Sequence, residues 1–475
     1  MPYLKDNRLA QFMAANPVLS LVMALLVCVS MVLLAGPNYK FAVIPALSLP
    51  VIFFIWKKPF LGFYAILFLT PFDEFTALSE TYKFMTIPKV IGVLTVIILF
   101  LHYIIYHDHG YDFRSGLWKW LLLFWLVGLV SAFMSEYQFT SYNTLRRFFT
   151  GYVFFLMTLA FVSKNDFKYT LPGLIVFATS ISVLLSILGY FTRSPLFLMS
   201  VRSEFSRITG GAGDPNEFAI MMVFALPIYA FLIYRAKTAF KKITLMLFFG
   251  LCAIAVINTY SRTGALILLG TLFLIVLQYL RFLKPRTFGF ILLGMTIAVV
   301  CAITVIPSSY WNRQKTMTDR KTDFSVGRRF SYLVVAFDNF REHPILGTGP
   351  GTFKDVYGAS RWTLNYAREE ESPKRVAHNS YVEVLTGTGL IGLFFFMLII
   401  FIALRNFFTA RRQFRQTGDI EMENLVMAYF AAFWVILCAF LFLSINFHKY
   451  FWLLLGISQV SLRLASENEN KPNYS

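Results

Sequence analysis

The sequence is short of charge. Asp, Glu, Lys and Arg together make up 14% of its 475 residues, against 57% hydrophobic and 18% aromatic. A soluble domain of this length cannot bury so much apolar surface, so the bilayer is the expected solvent. Cysteine is scarce as well: Cys28, Cys252, Cys301 and Cys438 are the only four, each inside an apolar run. With no CxxC pair and no Cys/His cluster, neither disulfides nor a zinc site are expected, and no cofactor is implied. Only six residues are histidine. Acidic residues are outnumbered, 25 against 43 Lys and Arg, for a formal charge of +18. The basic residues are scattered between apolar runs and form no dense stripe, so no nucleic-acid partner is expected. In a membrane protein such an excess reflects topology and contact with anionic lipid or phosphate.

What the chain does have is a series of long apolar runs. A helix needs about 20 residues to cross the hydrocarbon, because every backbone polar group must be satisfied internally. Runs that qualify lie near 17–35, 38–56, 59–72, 86–106, 117–134, 145–163, 170–192, 215–234, 243–259, 262–280, 287–307, 380–404, 421–445 and 449–463. The first follows Lys5 and Arg8. It is long for the core of a cleaved signal peptide and reads as a retained anchor. The expected fold is all-α: a polytopic integral membrane protein of about twelve to fourteen transmembrane helices. Residues 1–307 would form the main bundle, with an outer loop at 193–214. Residues 308–379 would form a large, partly helical loop, 380–463 the last three spans, and 464–475 a cytoplasmic tail. No internal repeat is apparent.

Charge sets the orientation. With the N-terminus in the cytoplasm, Lys57, Lys58, Arg235, Lys241, Lys242, Arg281, Lys284, Arg286, Arg405, Arg411, Arg412 and Arg415 all fall inside. The short outer loops then hold fewer basic residues, as the positive-inside rule requires. Asp73 and Glu74 fall outside. So do the loop 193–214 and the segment 308–379, whose length suggests structure or function. Within that segment Phe330, Leu333, Val334, Phe337 and Phe340 recur at helical spacing, which predicts an amphipathic helix over 328–342. His343-Pro344 ends it.

Four outer clusters could carry chemistry. In "VRSEFSRITGGAGDPNEFA" (201–219), Arg202 and Arg207 precede Asp214, Asn216 and Glu217. Asp214-Pro215 also suits a plain helix start, with Asp as cap. In "NTYSRTGA" (258–265), Tyr260, Ser261 and Arg262 form a tight turn between two spans. Arg262 could snorkel to lipid headgroups, or it could be a functional ionisable group at the boundary. In "SVGRRFSYLVVAFDNF" (325–340), Arg328 and Arg329 fall at the expected helix start, where a positive charge is unfavourable unless an anion compensates. The alternative is a solvated helix start. "GTGPG" (347–351) lacks the Lys-Ser/Thr of a nucleotide loop. In "VAHNSYVEVLTGTGLIG" (376–392), Asn379 can cap a helix, Tyr381 and Glu383 follow in its first turns, and His378 can move a proton near neutral pH. "REEESPKR" (368–375) reads as a solvated mixed-charge run. Arginines, a histidine and asparagine on one face suit a pyrophosphate, because the arginine fork matches phosphate oxygens.

"GDPNEFA", "YSRTGA", "HPILGTGPGTF" and "AHNSYVEVLTGTGLIG" occur in the order seen in the O-antigen ligase and polymerase superfamily, which the chain resembles over roughly residues 200–400. The resemblance implies a metal-independent, inverting membrane glycosyltransferase of the bacterial inner membrane, with N- and C-termini in the cytoplasm and its site facing the periplasm. The donor would be an undecaprenyl-diphosphate-linked glycan. The acceptor would be lipid A-core in a ligase, a second lipid-linked repeat in a polymerase, or a protein hydroxyl in related enzymes. By resemblance His378 matches the loop-exit histidine and Arg262 the arginine of the Ser-Arg turn, and these form the expected catalytic pair. Arg202, Arg207, Asp214, Asn216, Tyr260, Arg328, Arg329, Asn379 and Tyr381 are expected to line the diphosphate and substrate. Ligases of this family usually have twelve spans, three of them after the long loop. Three follow it here, but eleven precede it. A lipid-linked oligosaccharide flippase is the reading from a different class, though such a transporter should carry ionisable groups at mid-depth.

Overall fold

The computed structural model describes residues 12–13, 15–35, 43–73, 86–105, 107, 110–193, 198–199, 207–280, 324–363 and 374–469. The expected span 287–307, Arg202, Glu74, Cys301 and the basic residues Arg281, Lys284 and Arg286 lie outside them.

The chain divides into two compact units, Met1–Leu69 with Thr76–Tyr111, and Thr70–Phe75 with Asp112–Ser475. In the first, α1 (Pro17–Ala35), α2 (Val43–Lys57), α3 (Phe60–Leu69) and α4 (Ile87–Ile105) are apolar helices. Leu19, Ile55, Trp56 and Ile98 form a small core, and Trp56 Nε1 donates to Asn16 Oδ1 at 3.0 Å. Leu21, Leu25 and Met31 on α1 are exposed, as lipid-facing side chains would be.

The second unit contains α5 (Trp118–Met134), α6 (Gln138–Phe161), α7 (Leu171–Thr192), α8 (Pro215–Arg235), α9 (Ala239–Asn258) and α10 (Arg262–Tyr279). It continues through α11 (Phe324–Glu342), α12 (Phe353–Ala359), α13 (Ser380–Gln416), α14 (Ile420–Phe440) and α15 (Lys449–Glu469). Between α7 and α8, β1 (Leu198–Met199) pairs antiparallel with β2 (Arg207–Ile208). Among the described residues seven helices are long and apolar enough to cross a membrane, including α8, α9, α10, α13 and α14. The protein is an all-α polytopic membrane protein, as its apolar runs require. Helices α8 and α14 are apolar all round and buried nearly throughout, the expected state for helices at the centre of a bundle. Phe224 of α8 stacks on Tyr450 of α15 with centroids 4.1 Å apart.

The two ends of this unit differ in chemistry. At one end α8 stops and α14 begins. There Glu421 accepts Lys168 at 2.8 Å and Arg235 at 2.7 Å, and the buried Glu423 holds Arg415 at 2.7 Å. At the other end α8, α10 and α13 all begin.

Two elements depart from expectation. The first is the run 380–404, read as one span. Helix α13 is broken at Gly389, which has φ +63° and ψ −164°. The stretch His343–Gly349 takes up the freed groups. Thr348 N and Gly349 N donate to the carbonyls of Thr386 (3.0 Å) and Gly387 (2.9 Å), and Leu390 N donates to Pro344 O (2.9 Å). Ser131 Oγ of α5 adds a bond to Gly387 O at 2.8 Å. The second is α11. It forms as predicted, but its expected apolar stripe is not the face packed on protein. Phe330, Leu333 and Phe337 are exposed, while Ser331, Tyr332, Val335, Ala336 and Asn339 are buried. The buried set packs with Phe353, Tyr357 and Ala377.

Candidate active site

Three helix starts at this end share one local grammar. Each has a residue at positive φ, then a side-chain cap, then the helix. Gly213 (φ +74°) precedes Asp214 and α8; Tyr260 (φ +51°) precedes Ser261 and α10; His378 (φ +49°) precedes Asn379 and α13. The left-handed residue turns the chain sharply into each helix. Asp214 Oδ1 accepts from Asn216 N (2.7 Å) and Glu217 N (3.0 Å). Ser261 Oγ accepts from Gly264 N (3.0 Å), and Asn379 Oδ1 accepts from Tyr381 N (3.0 Å) and Val382 N (3.1 Å). A capped N-terminus still carries partial positive charge, and several brought together favour an anion. For tyrosine and histidine the left-handed conformation costs about 1–3 kcal/mol each, a cost the surroundings must offset.

The starts of α8 and α10 are latched directly. Ser261 Oγ donates to Asn216 Oδ1 at 2.8 Å, and Arg207 Nε donates to Thr259 O at 2.9 Å. Asn216 therefore ties the "GDPNEFA" and "YSRTGA" turns together, and one nitrogen of Arg207 braces the second. Arg262 is the first residue of α10.

His378 is the electrostatic centre. Burial holds its imidazole well below the usual range, at about 4. The charges of Arg329, Arg328 and Arg375 push in the same direction, and Asp214 pushes against them. The same groups recur around Tyr332, whose ring lies 6.0 Å from that of His378. Burial raises the Tyr332 phenol, against the pull of Arg328 and Arg375. The fold thus brings His378 together with Arg328 and Arg329 of α11, Arg375, and the Asp214 cap of α8. At neutral pH the imidazole is uncharged among three guanidinium groups.

Several sequence readings change. Helix α11 begins at Phe324, so Arg328 and Arg329 lie beyond its first turn, where the dipole argument no longer applies to them. That argument applies to Arg262. Tyr381 OH donates to Leu437 O at 3.1 Å, and Asn379 Nδ2 donates to Leu441 O at 3.2 Å, so both join α13 to the end of α14. Of the run 368–375 only Lys374 and Arg375 are among the described residues, and these two are not simply solvated: Arg375 acts on His378, and Lys374 binds the buried Asp355 at 2.7 Å. Sequence reasoning missed Arg375 because its acidic neighbours disguised it. Its signal was its position three residues before His378. Among the described residues no group of three or more His, Cys, Asp or Glu could hold a metal ion.

A family model described as O-antigen ligase matches residues 246–397. That stretch holds three of the four motifs, while "GDPNEFA" (213–219) lies outside it, and the match bears out the resemblance read from the sequence. No curated protein matches the chain.

Proposed function

With residues 246–397 similar to the O-antigen ligase family, we propose that the chain transfers a glycan from an undecaprenyl-diphosphate-linked donor to a hydroxyl acceptor, with lipid A-core as the acceptor of choice. The family match supports a membrane glycosyltransferase of O-antigen ligase or polymerase type. The observation that carries the finer reading is the neutral imidazole of His378 set among Arg328, Arg329 and Arg375 beside the start of α8.

The arrangement suits both halves of the reaction. The acceptor hydroxyl gives its proton to His378 while its oxygen bonds to the anomeric carbon, which inverts that centre. The bond from that carbon to the diphosphate oxygen breaks, and the electron pair leaves with the polyprenyl diphosphate. Arg262, Arg328, Arg329 and the helix starts meet the charge that develops on it. Bound diphosphate also offsets the arginine charges, which raises the proton affinity of His378 when a base is needed. A polymerase would use the same chemistry with a lipid-linked repeat as acceptor.

The test uses the purified full-length chain with lipid-linked donor, lipid A-core and a metal chelator. Formation of a new glycosidic bond is the expected result. Movement of donor across proteoliposomes without any such bond would overturn the reading in favour of a flippase.

A further inference from the structure

We infer that Glu383 is the positioning residue for His378, holding its strained turn through a single carboxylate oxygen. Glu383 is the fourth residue of α13 and is 8% exposed. Its Oε1 accepts from Ala377 N at 2.8 Å and from Ser444 Oγ at 3.0 Å. Ala377 is the residue directly before His378, so the carboxylate fixes the Val376–Ala377 peptide, one residue ahead of the left-handed position.

The second bond reaches another segment. Ser444 lies in the 441–448 loop between α14 and α15, and that loop is stitched to the start of α13 at three more points. Ser380 Oγ donates to Leu443 O at 2.7 Å and accepts from Ile445 N at 3.0 Å, and Asn379 Nδ2 donates to Leu441 O. The turn carrying His378 is therefore gripped from its own helix and from the neighbouring loop, with Glu383 joining the two grips. A histidine at positive φ relaxes to the right-handed region unless something opposes it. A buried carboxyl oxygen that accepts the Ala377 amide supplies that opposition. If the amide loses its acceptor, the imidazole loses its fixed direction among the arginines.

The inference rests on the proposed role of His378, so the test includes a readout that needs no turnover. Glu383→Gln, Glu383→Leu and Ser444→Ala are made in the full chain. The rate at which diethyl pyrocarbonate modifies His378 is followed by peptide mass spectrometry, beside kcat and donor KM. Gln retains an acceptor oxygen and is expected to match wild type in both. Leu is expected to change the His378 modification rate and lower kcat by about ten-fold or more, with donor KM little changed, since small misplacements of a reacting group are costly. Ser444→Ala is expected to fall between.

A folded Glu383→Leu chain with wild-type modification and kcat would overturn the inference. So would Glu383→Gln failing as badly as Leu, because the role would then not be that of an acceptor. If Glu383→Leu does not fold, Ser444→Ala decides by the same modification rate: a shift supports the clamp and no shift overturns it. A modification rate that moves in the variants while the wild-type chain itself transfers no glycan would overturn the proposed function and leave the clamp standing.

Discussion

At the scale of residues, His378 is held neutral, and this has a direction that can be measured. Burial is the main cause, with Arg329, Arg328 and Arg375 adding to it. A free histidine takes up a proton near 6.5, while this one resists until about 4. As pH falls below 6.5, the unfolded chain binds the proton first. Folding stability from this group is therefore complete above 6.5 and is lost progressively as pH falls towards 4. The same shift governs a base that must be unprotonated. The acid limb of kcat/KM should lie well below 6.5 in the wild type, and Arg329→Ala should move it upward, because one repelling charge is gone. A pH–rate profile of both proteins checks this, and an unshifted limb in the variant would separate Arg329 from His378. Tyr260 occupies the equivalent left-handed place before α10, and the next residue, Ser261, is latched to Asn216. Some polar residues in these motifs thus build the turns that aim the others.

At the scale of elements, α13 matters most because it is two helical pieces. The break at Gly389 frees backbone groups in a segment read as membrane-spanning, where an unpaired group is costly. The His343–Gly349 stretch pairs with them. The glycine-rich "GTGPG" thus serves backbone pairing and close packing. It also fastens the segment after α11 to the span that carries His378. A Cβ at Gly389 would strike the Ile345 carbonyl in a backbone region closed to other residues. Gly389→Ala should therefore lower the melting temperature clearly, by a loss of about 1–3 kcal/mol for the strain alone. An unchanged melting curve would contradict the clip. The helices themselves were legible in the sequence, because span length and apolar runs are local facts: α4, α5, α7 and α10 fall within a residue or two of their expected limits. The break was not legible, because it depends on pairing with residues about forty positions earlier. Which face of α11 packs on protein was not legible for a related reason. Spacing reveals an apolar stripe but not whether protein or lipid covers it.

At the scale of the whole molecule, we propose from the distribution of Lys and Arg that the end where α8, α10 and α13 begin faces away from the cytoplasm. The end that carries the Glu421 and Glu423 ion pairs would then face inside. In a background without native cysteines, Ala359→Cys should react with a membrane-impermeant thiol reagent from outside, and Gln416→Cys only after lysis. The reverse pattern would invert the orientation. Four motifs in order pointed to one site in the sequence, but their convergence is a tertiary fact. Only the fold brings Asp214, Arg329 and Arg375 to His378, and Arg375 drew no notice among its charged neighbours. The central claim is that His378 performs the proton transfer while the arginines hold the donor. Its most direct test is a single turnover with donor already bound, comparing wild type with His378→Ala. The account predicts donor affinity within a few-fold of wild type and transfer slower by about 10²–10⁴-fold. A folded His378→Ala chain that transfers glycan at the wild-type rate would contradict it.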